Sequence, residues 1–341
     1  MADQRPARIA FVGAGVHATE SLYPNFGMIP ELELVAVCDL VTEKAERAAR
    51  KYGASRWFSD LGQMLDTVEP DGVCVCGPAE MHLEVGSEVL RRGIPVFMEK
   101  PPGLAAAEAL SLVETAREAG TWGMVGFMKR FAPANLVARD YMASPEFGVL
   151  NSLNMIHGAG PYDELRRMLL FNGIHMLDLA RFLAGEVVEV FAQGAAPSPD
   201  VYTSCVGLRF ANGALGQFNM NSGHHWNDCF EQVYLSGSGS AVLVEASQAV
   251  EVMAPGRRFA DPPDQRLYGW SGRYYVSGNM AGWWAGGHYT RGYWGELSHF
   301  ARALQGTVEP EATLEDGLRA MELVEAILES IASNRPVALP G

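Results

Sequence analysis

The hydrophobic positions of this chain change rhythm part-way along it. Through residue 127, short unbroken apolar runs alternate with amphipathic stretches that repeat every three to four positions. Unbroken runs fit strands buried on both faces, and the 3.6-residue period fits helices packed over them. The pattern predicts strands over 8–12, 32–38, 72–76, 94–98 and 122–127, with helices over 17–26, 43–52, 61–67, 81–92 and 105–119 between them. Such alternation gives a parallel, doubly wound α/β sheet, in which ligands bind beyond the carboxyl ends of the strands.

After residue 128 the period shortens to two. Alternating runs at 204–210, 215–220, 231–236 and 241–245 are separated by the turn pairs Asn212-Gly213 and Ser238-Gly239. This predicts an antiparallel or mixed sheet. Helical spacing returns at 133–142, 173–183, 296–304 and 314–332, while the Gly-, Pro- and aromatic-rich stretch 255–287 reads as irregular. The 341 residues suit two domains. We place a nucleotide-binding domain at 1–127 and an α+β domain at 128–341.

Composition narrows the partners. A net charge of −14 argues against nucleic acid, which requires clustered cations. Five cysteines make no disulfide framework, and Cys74 and Cys76 fall on one face of a buried strand, as small apolar residues of a protein in a reducing cytoplasm. No apolar run reaches the length of a membrane span. The run 9–16, after Arg5 and Arg8, carries a glycine pattern that fits a first strand better than a signal peptide.

That pattern is Gly13-Ala14-Gly15-Val16-His17-Ala18, a G-x-G-x-x-A sequence between a strand and a helix. Glycines there let backbone N–H groups approach a pyrophosphate at the positive end of the helix. Asp39 ends the next strand, 21 residues beyond Ala18. A carboxylate at that place bonds ribose hydroxyls and repels a 2′-phosphate, and no arginine follows in Leu40-Val41-Thr42. NAD is therefore expected rather than NADP.

Glu99-Lys100-Pro101 closes a later strand. A lysine desolvated at a strand end loses proton affinity and suits proton transfer, although exposed Glu-Lys pairs are also common. The triplet does not stand alone. GAGVHA at 13–18, Asp39, GPAEMHLE at 77–84, VFMEKP at 96–101, GIHMLDLARFL at 173–183 and the closing ESIASNRPV occur in order. Together they resemble the glucose–fructose oxidoreductase / inositol dehydrogenase / MocA (Gfo/Idh/MocA) family.

The resemblance implies a Rossmann domain followed by an α+β domain with a large, open, mostly antiparallel sheet, through which the chain forms a homodimer or homotetramer. It implies an NAD-dependent enzyme acting on a sugar, cyclitol or sugar-acid alcohol or ketone. Lys100 then bonds the reacting oxygen, Glu99 and Pro101 set the lysine, and Gly77, Pro78 and His82 belong to the cofactor cleft. The position that resembles the family's acid/base histidine is His175, and Asp178, one helical turn on, is placed to orient it or the substrate. One departure stands out: many members carry aspartate four residues before this histidine, where this chain has Phe171, with Asn172 beside it.

Weaker candidates lie on the substrate side. Arg130 sits in Met128-Lys129-Arg130-Phe131, just past the last Rossmann strand. Residues 268–294 gather Tyr268, Trp270, Tyr274, Tyr275, Trp283, Trp284, His288, Tyr289, Arg291, Tyr293 and Trp294. Aromatic faces stack on sugars and Arg291 suits an anionic group, but packing in a core or interface explains most of them as well. His224-His225-Trp226 is not expected to bind metal, because neighbours on a strand point to opposite faces. Two further readings stay open: a redox-neutral, NAD-using lyase or glycosidase, and a non-catalytic NAD-binding regulator.

Overall fold

The computed structural model describes residues 5–225, 230–254, 270–275 and 287–340. The chain forms two compact units, Met1–Met128 with Gly287–Met321, and Lys129–Gly286 with Glu322–Gly341.

In the first unit, β1 (Ala7–Val12), β2 (Leu32–Cys38), β3 (Arg56–Phe58), β4 (Gly72–Val75), β5 (Val96–Met98) and β6 (Gly123–Val125) form one sheet in the order β3-β2-β1-β4-β5-β6. Every pairing is parallel. The reversal of direction lies between β1 and β4, where ligands of doubly wound folds bind. Phe11, Val37, Cys74, Val75 and Phe97 are buried, as unbroken apolar runs require. Only β3 went unexpected, a three-residue edge strand whose Arg56 and Trp57 are exposed and which therefore carries no apolar run.

Residues 287–321, which the sequence rhythm groups with the second half, pack on this sheet instead. In the helix Tyr293–Leu304, the ring of Phe300 lies 5.9 Å from Phe97 and 5.6 Å from Trp122. The Val125 N–H donates to the Ala312 carbonyl at 2.7 Å. Burial of an apolar stripe, and not sequence distance, decided where this helix docks.

The second unit holds β7 (Leu150–Gly158), β8 (Val187–Ser198), β9 (Val201–Phe210), β10 (Leu215–Asn221), β11 (Phe230–Gly237), β12 (Ala241–Glu245), β13 (Ala249–Ala254), β14 (Trp270–Tyr275) and β15 (Val337–Ala338). Their order is β14-β13-β12-β11-β7-β10-β9-β8-β15, and only β7 and β10 pair in parallel. Both turn pairs make hairpins, β9–β10 at Asn212-Gly213 and β11–β12 at Ser238-Gly239. β14 corrects the irregular reading of 255–287 at its centre, where edge pairing with β13 recruits residues that carry no clear alternation; the flanking residues of that stretch lie outside the described ones. His224 and His225 lie in the loop after β10 rather than on a strand.

One face of this sheet is covered: Leu153, Met155, Val206, Phe218 and Val233 are buried against helices such as Pro133–Met142 and Ile174–Ala184. The alternate positions Ile156, Phe191, Leu215 and Phe230 stand exposed on the other face. The mixed, mostly antiparallel sheet thus takes the expected form.

Candidate active site

The glycine loop explains its own sequence. Gly13 has φ +101°, and a Cβ there would fall 1.9 Å from the Cys76 carbonyl oxygen, so only glycine lets β1 turn this close to β4. The buried Tyr23 hydroxyl donates to the Gly13 carbonyl at 2.9 Å, and its ring stacks 4.2 Å from Phe11, pinning the loop from below. A Cβ added at Gly15 would meet no atom within 4 Å, and Val16 beside it is exposed. Ala18 is buried in the helical stretch 16–26. At the end of β2, Asp39 accepts from the Ala14 N–H at 2.8 Å and the Val41 N–H at 2.9 Å. A carboxylate oxygen accepts more than one hydrogen bond, so Asp39 retains capacity for a ribose while it braces the loop. The open Gly15, the exposed loop and this carboxylate suit a dinucleotide.

Gly77 and Pro78 follow β4 and lead into the helix His82–Arg91. His82 is fully buried, and its Nδ1 lies 2.7 Å from the Pro101 carbonyl. A carbonyl only accepts, so Nδ1 carries the proton. Burial lowers the proton affinity of the ring and keeps it neutral. His82 thus braces the Glu99-Lys100-Pro101 turn through its backbone.

Glu99 is buried at the end of β5. Its Oε1 lies 3.3 Å from His17 Nε2, and its Oε2 accepts the Lys100 backbone N–H at 3.1 Å. Gly126 makes room for the carboxylate, because a Cβ there would stand 3.0 Å from Glu99 Cδ. Burial pushes the Glu99 proton affinity up, but the His17 bond, the His17 and Lys100 charges and the Lys100 N–H together hold it below the usual glutamate range. Glu99 is therefore an anion in the wall behind Lys100, an effect opposite in sign to the desolvation expected for that lysine. His17, from the glycine loop, is thus joined to the residue preceding Lys100.

In the same unit, His288 Nδ1 lies 3.3 Å from the Ser21 carbonyl, and the Tyr293 ring 5.8 Å from His17. Tyr289, 43% exposed, lies 5.7 Å from Trp294, and Arg291 is exposed. This part of the aromatic cluster therefore belongs with the nucleotide unit. Tyr268, Trp283, Trp284 and Trp226 lie outside the described residues, and Trp270, Tyr274 and Tyr275 are placed on β14 by backbone alone.

The second unit sets out the remaining candidates on one helical segment. Phe171 and Asn172 lie in the π-helical turn Leu169–Gly173, and His175 and Asp178 in the helix that continues it, both buried. The Arg167 guanidinium sits 5.6 Å from the Phe171 ring. Asp178 is gripped by Arg130 through two bonds, Nε to Oδ2 at 2.8 Å and Nη2 to Oδ1 at 2.6 Å. This ion pair joins Asp178 to a residue 48 positions away, a partner that sequence spacing does not indicate.

Two groups escaped the sequence reading. Lys129, Glu231 and His157 form a buried charged cluster, with Ser247 Oγ donating to Glu231 at 2.9 Å. Burial opposes ionisation of Glu231, but Lys129 and His157 hold its carboxyl far below the usual range. The other is Glu296, fully buried on the helix Tyr293–Leu304. Its only sequence signal was a carboxylate set into an apolar stripe.

Residues 7–127 match a family model described as the oxidoreductase family's NAD-binding Rossmann fold, and residues 167–339 match its C-terminal alpha/beta domain. The chain is 26% identical over 350 residues to the myo-inositol 2-dehydrogenase of Thermotoga maritima, covering 97% of this chain and 98% of that one. It is 32% identical over 199 residues to the D-glucoside 3-dehydrogenase of Escherichia coli, 53% of this chain and 54% of that protein. A crystal structure of a dehydrogenase from Chromobacterium violaceum superposes with a TM-score of 0.87 at 25% identity, covering 97% of both chains. From its glycine loop to its closing strand, this chain belongs to the Gfo/Idh/MocA family of NAD-binding oxidoreductases.

Proposed function

We propose that this oxidoreductase interconverts a secondary alcohol and a ketone on a sugar, cyclitol or sugar acid, with Lys100 and His175 handling the proton. The observation that carries this reading is Lys100 at the carboxyl end of β5, set between the His82–Pro101 brace and an ionised Glu99 tied to the glycine loop. Gly13, Gly15, Val16, His17 and Ala18 would hold the pyrophosphate, and Asp39 the ribose, of NAD. The bound nicotinamide supplies the hydride acceptor or donor. Lys100 Nζ bonds the reacting oxygen, and His175, buried in the second unit, accepts or returns the hydroxyl proton. Arg130 and Asp178 act as a pair whose mutual bonds set the helix carrying His175. Substrates of the relatives named inositol and glucoside dehydrogenases support the polyol class.

The test is NADH absorbance with purified protein, NAD, and a panel of sugars, inositols and sugar acids, run beside NADH with keto-sugars. Lys100→Ala should lower turnover at least ~10²-fold, in line with the loss of one acid–base group, while NAD still binds by calorimetry. Near-normal turnover in that variant would remove Lys100 from the chemistry. Phe171, in place of the aspartate expected from the family resemblance, is the observation that keeps a redox-neutral or regulatory reading in play. NAD binding without NADH accumulation across the panel would favour it.

A further inference from the structure

The helix Tyr293–Leu304 lays a stripe of Tyr293, Leu297 and Phe300 on the first sheet. Tyr293 faces His17 and Phe300 faces Phe97. Glu296 lies between these two points along the helix and is buried. It is 0% exposed, and neither carboxyl oxygen has a hydrogen-bond partner among the described residues. Glu99, by contrast, has the His17 ring and the Lys100 N–H. Two buried carboxyls in one unit thus differ in kind, one supplied with donors and one without. An ionised carboxylate with no donor in such surroundings is costly, and the group sheds the cost by keeping its proton.

The groups around Glu296 agree. Glu99 and Lys100 act on it from just past β5, Cys74 from β4 and Cys76 from just past it, Tyr293 from its own helix, and His17 lies beyond Glu99. Burial first, and the Glu99 charge second, raise the Glu296 proton affinity well above the glutamate range, with Lys100 opposing. The two thiols and the phenol are likewise pushed up by burial and stay neutral.

We propose that Glu296 is a positioning residue for Lys100: it stays a neutral acid while Glu99 is ionised, so the buried pair presents the lysine with one negative charge and not two. Removing Glu99 transfers that charge to Glu296. The catalytic consequence rests on Lys100 carrying the reaction's proton, but the charge arrangement does not.

The chain has only four lysines, at 44, 51, 100 and 129, so Lys100 is readily followed alone. The experiment measures the pH dependence of trace acetylation by acetic anhydride in the full-length protein without nucleotide or substrate. Exposed Lys44 and Lys51 serve as internal references, and peptides are read by mass spectrometry. Glu296→Gln, a neutral isostere, should leave the Lys100 midpoint in place and remove the acid carbonyl-stretch band from the infrared spectrum. Glu99→Gln should lower the midpoint. Glu99→Gln with Glu296→Gln should lower it further, by about tenfold in proton affinity, because the substitute charge is gone. Melting curves confirm that each variant is folded, and Glu99→Asp, which restores an anion, should recover the midpoint. If Glu296→Gln alone lowers the midpoint, Glu296 is already an anion and the proposal fails. A double variant matching Glu99→Gln overturns it too, since Glu296 then takes up no charge. Normal turnover in Lys100→Ala would instead defeat the catalytic reading and leave these titrations standing.

Discussion

Asp39 braces the Ala14 and Val41 N–H groups, and in the proposed function the same carboxylate bonds the adenosine ribose. Asp39→Ala should therefore weaken NAD binding and lower the ratio of NAD to NADP affinity, as measured by calorimetry with both nucleotides. An unchanged ratio would show that another group discriminates between them. Glycine 13 and Asp39 were legible because backbone approach to a phosphate admits few residue types. The partner of Asp178 was not. A bidentate guanidinium is a strong match for a carboxylate, and Arg130 arrives from a segment 48 residues away, beyond the reach of local spacing.

At the scale of elements, the helix Tyr293–Leu304 shows how little sequence order says about docking. Its apolar stripe was visible; the sheet that receives it was not. Phe300 touches both Phe97 and Trp122 and is fully buried, so Phe300→Ala should cost ~3–5 kcal/mol by cavity formation. Denaturant unfolding followed in the NAD-bound and free protein would measure it. Strands β7, β8 and β13 also went unassigned. Asn151, Ser152 and Asn154 dilute the apolar rhythm of β7, and the far half of β8 is small and exposed, so cross-strand pairing and not local pattern makes them strands.

For the molecule as a whole, two features are open to test. The Lys129–Glu231–His157 cluster holds Glu231 ionised, its proton affinity depressed relative to the unfolded chain. A depressed carboxyl stabilises the fold above its unfolded value, about 4.3, and that stability is lost as the pH falls. Acid unfolding of Glu231→Gln should therefore show a flatter pH dependence below about pH 5, at a lower overall stability, because Lys129 is left buried and unpaired. Second, Ile156, Phe191, Leu215 and Phe230 stand exposed on one face of the second sheet. We propose that this face joins copies of the chain; light scattering should give a dimer or tetramer, and Ile156→Arg should reduce the mass. A monomeric wild-type protein would rule the interface out.

The sequence by itself determined the α/β class, the parallel character of the first sheet with its helices, the glycine loop and the acidic residue that ends the next strand. Local sterics and the two hydrophobic periods act within a few residues, so they are written along the chain. Only the tertiary structure decided that residues 287–321 pack on the first sheet, that Arg130 bonds Asp178, and that buried Glu99 finds hydrogen-bond partners where buried Glu296 finds none among the described residues. Those outcomes depend on which apolar faces and which buried charges come together in space, and residues far apart along the chain compete for the same partners.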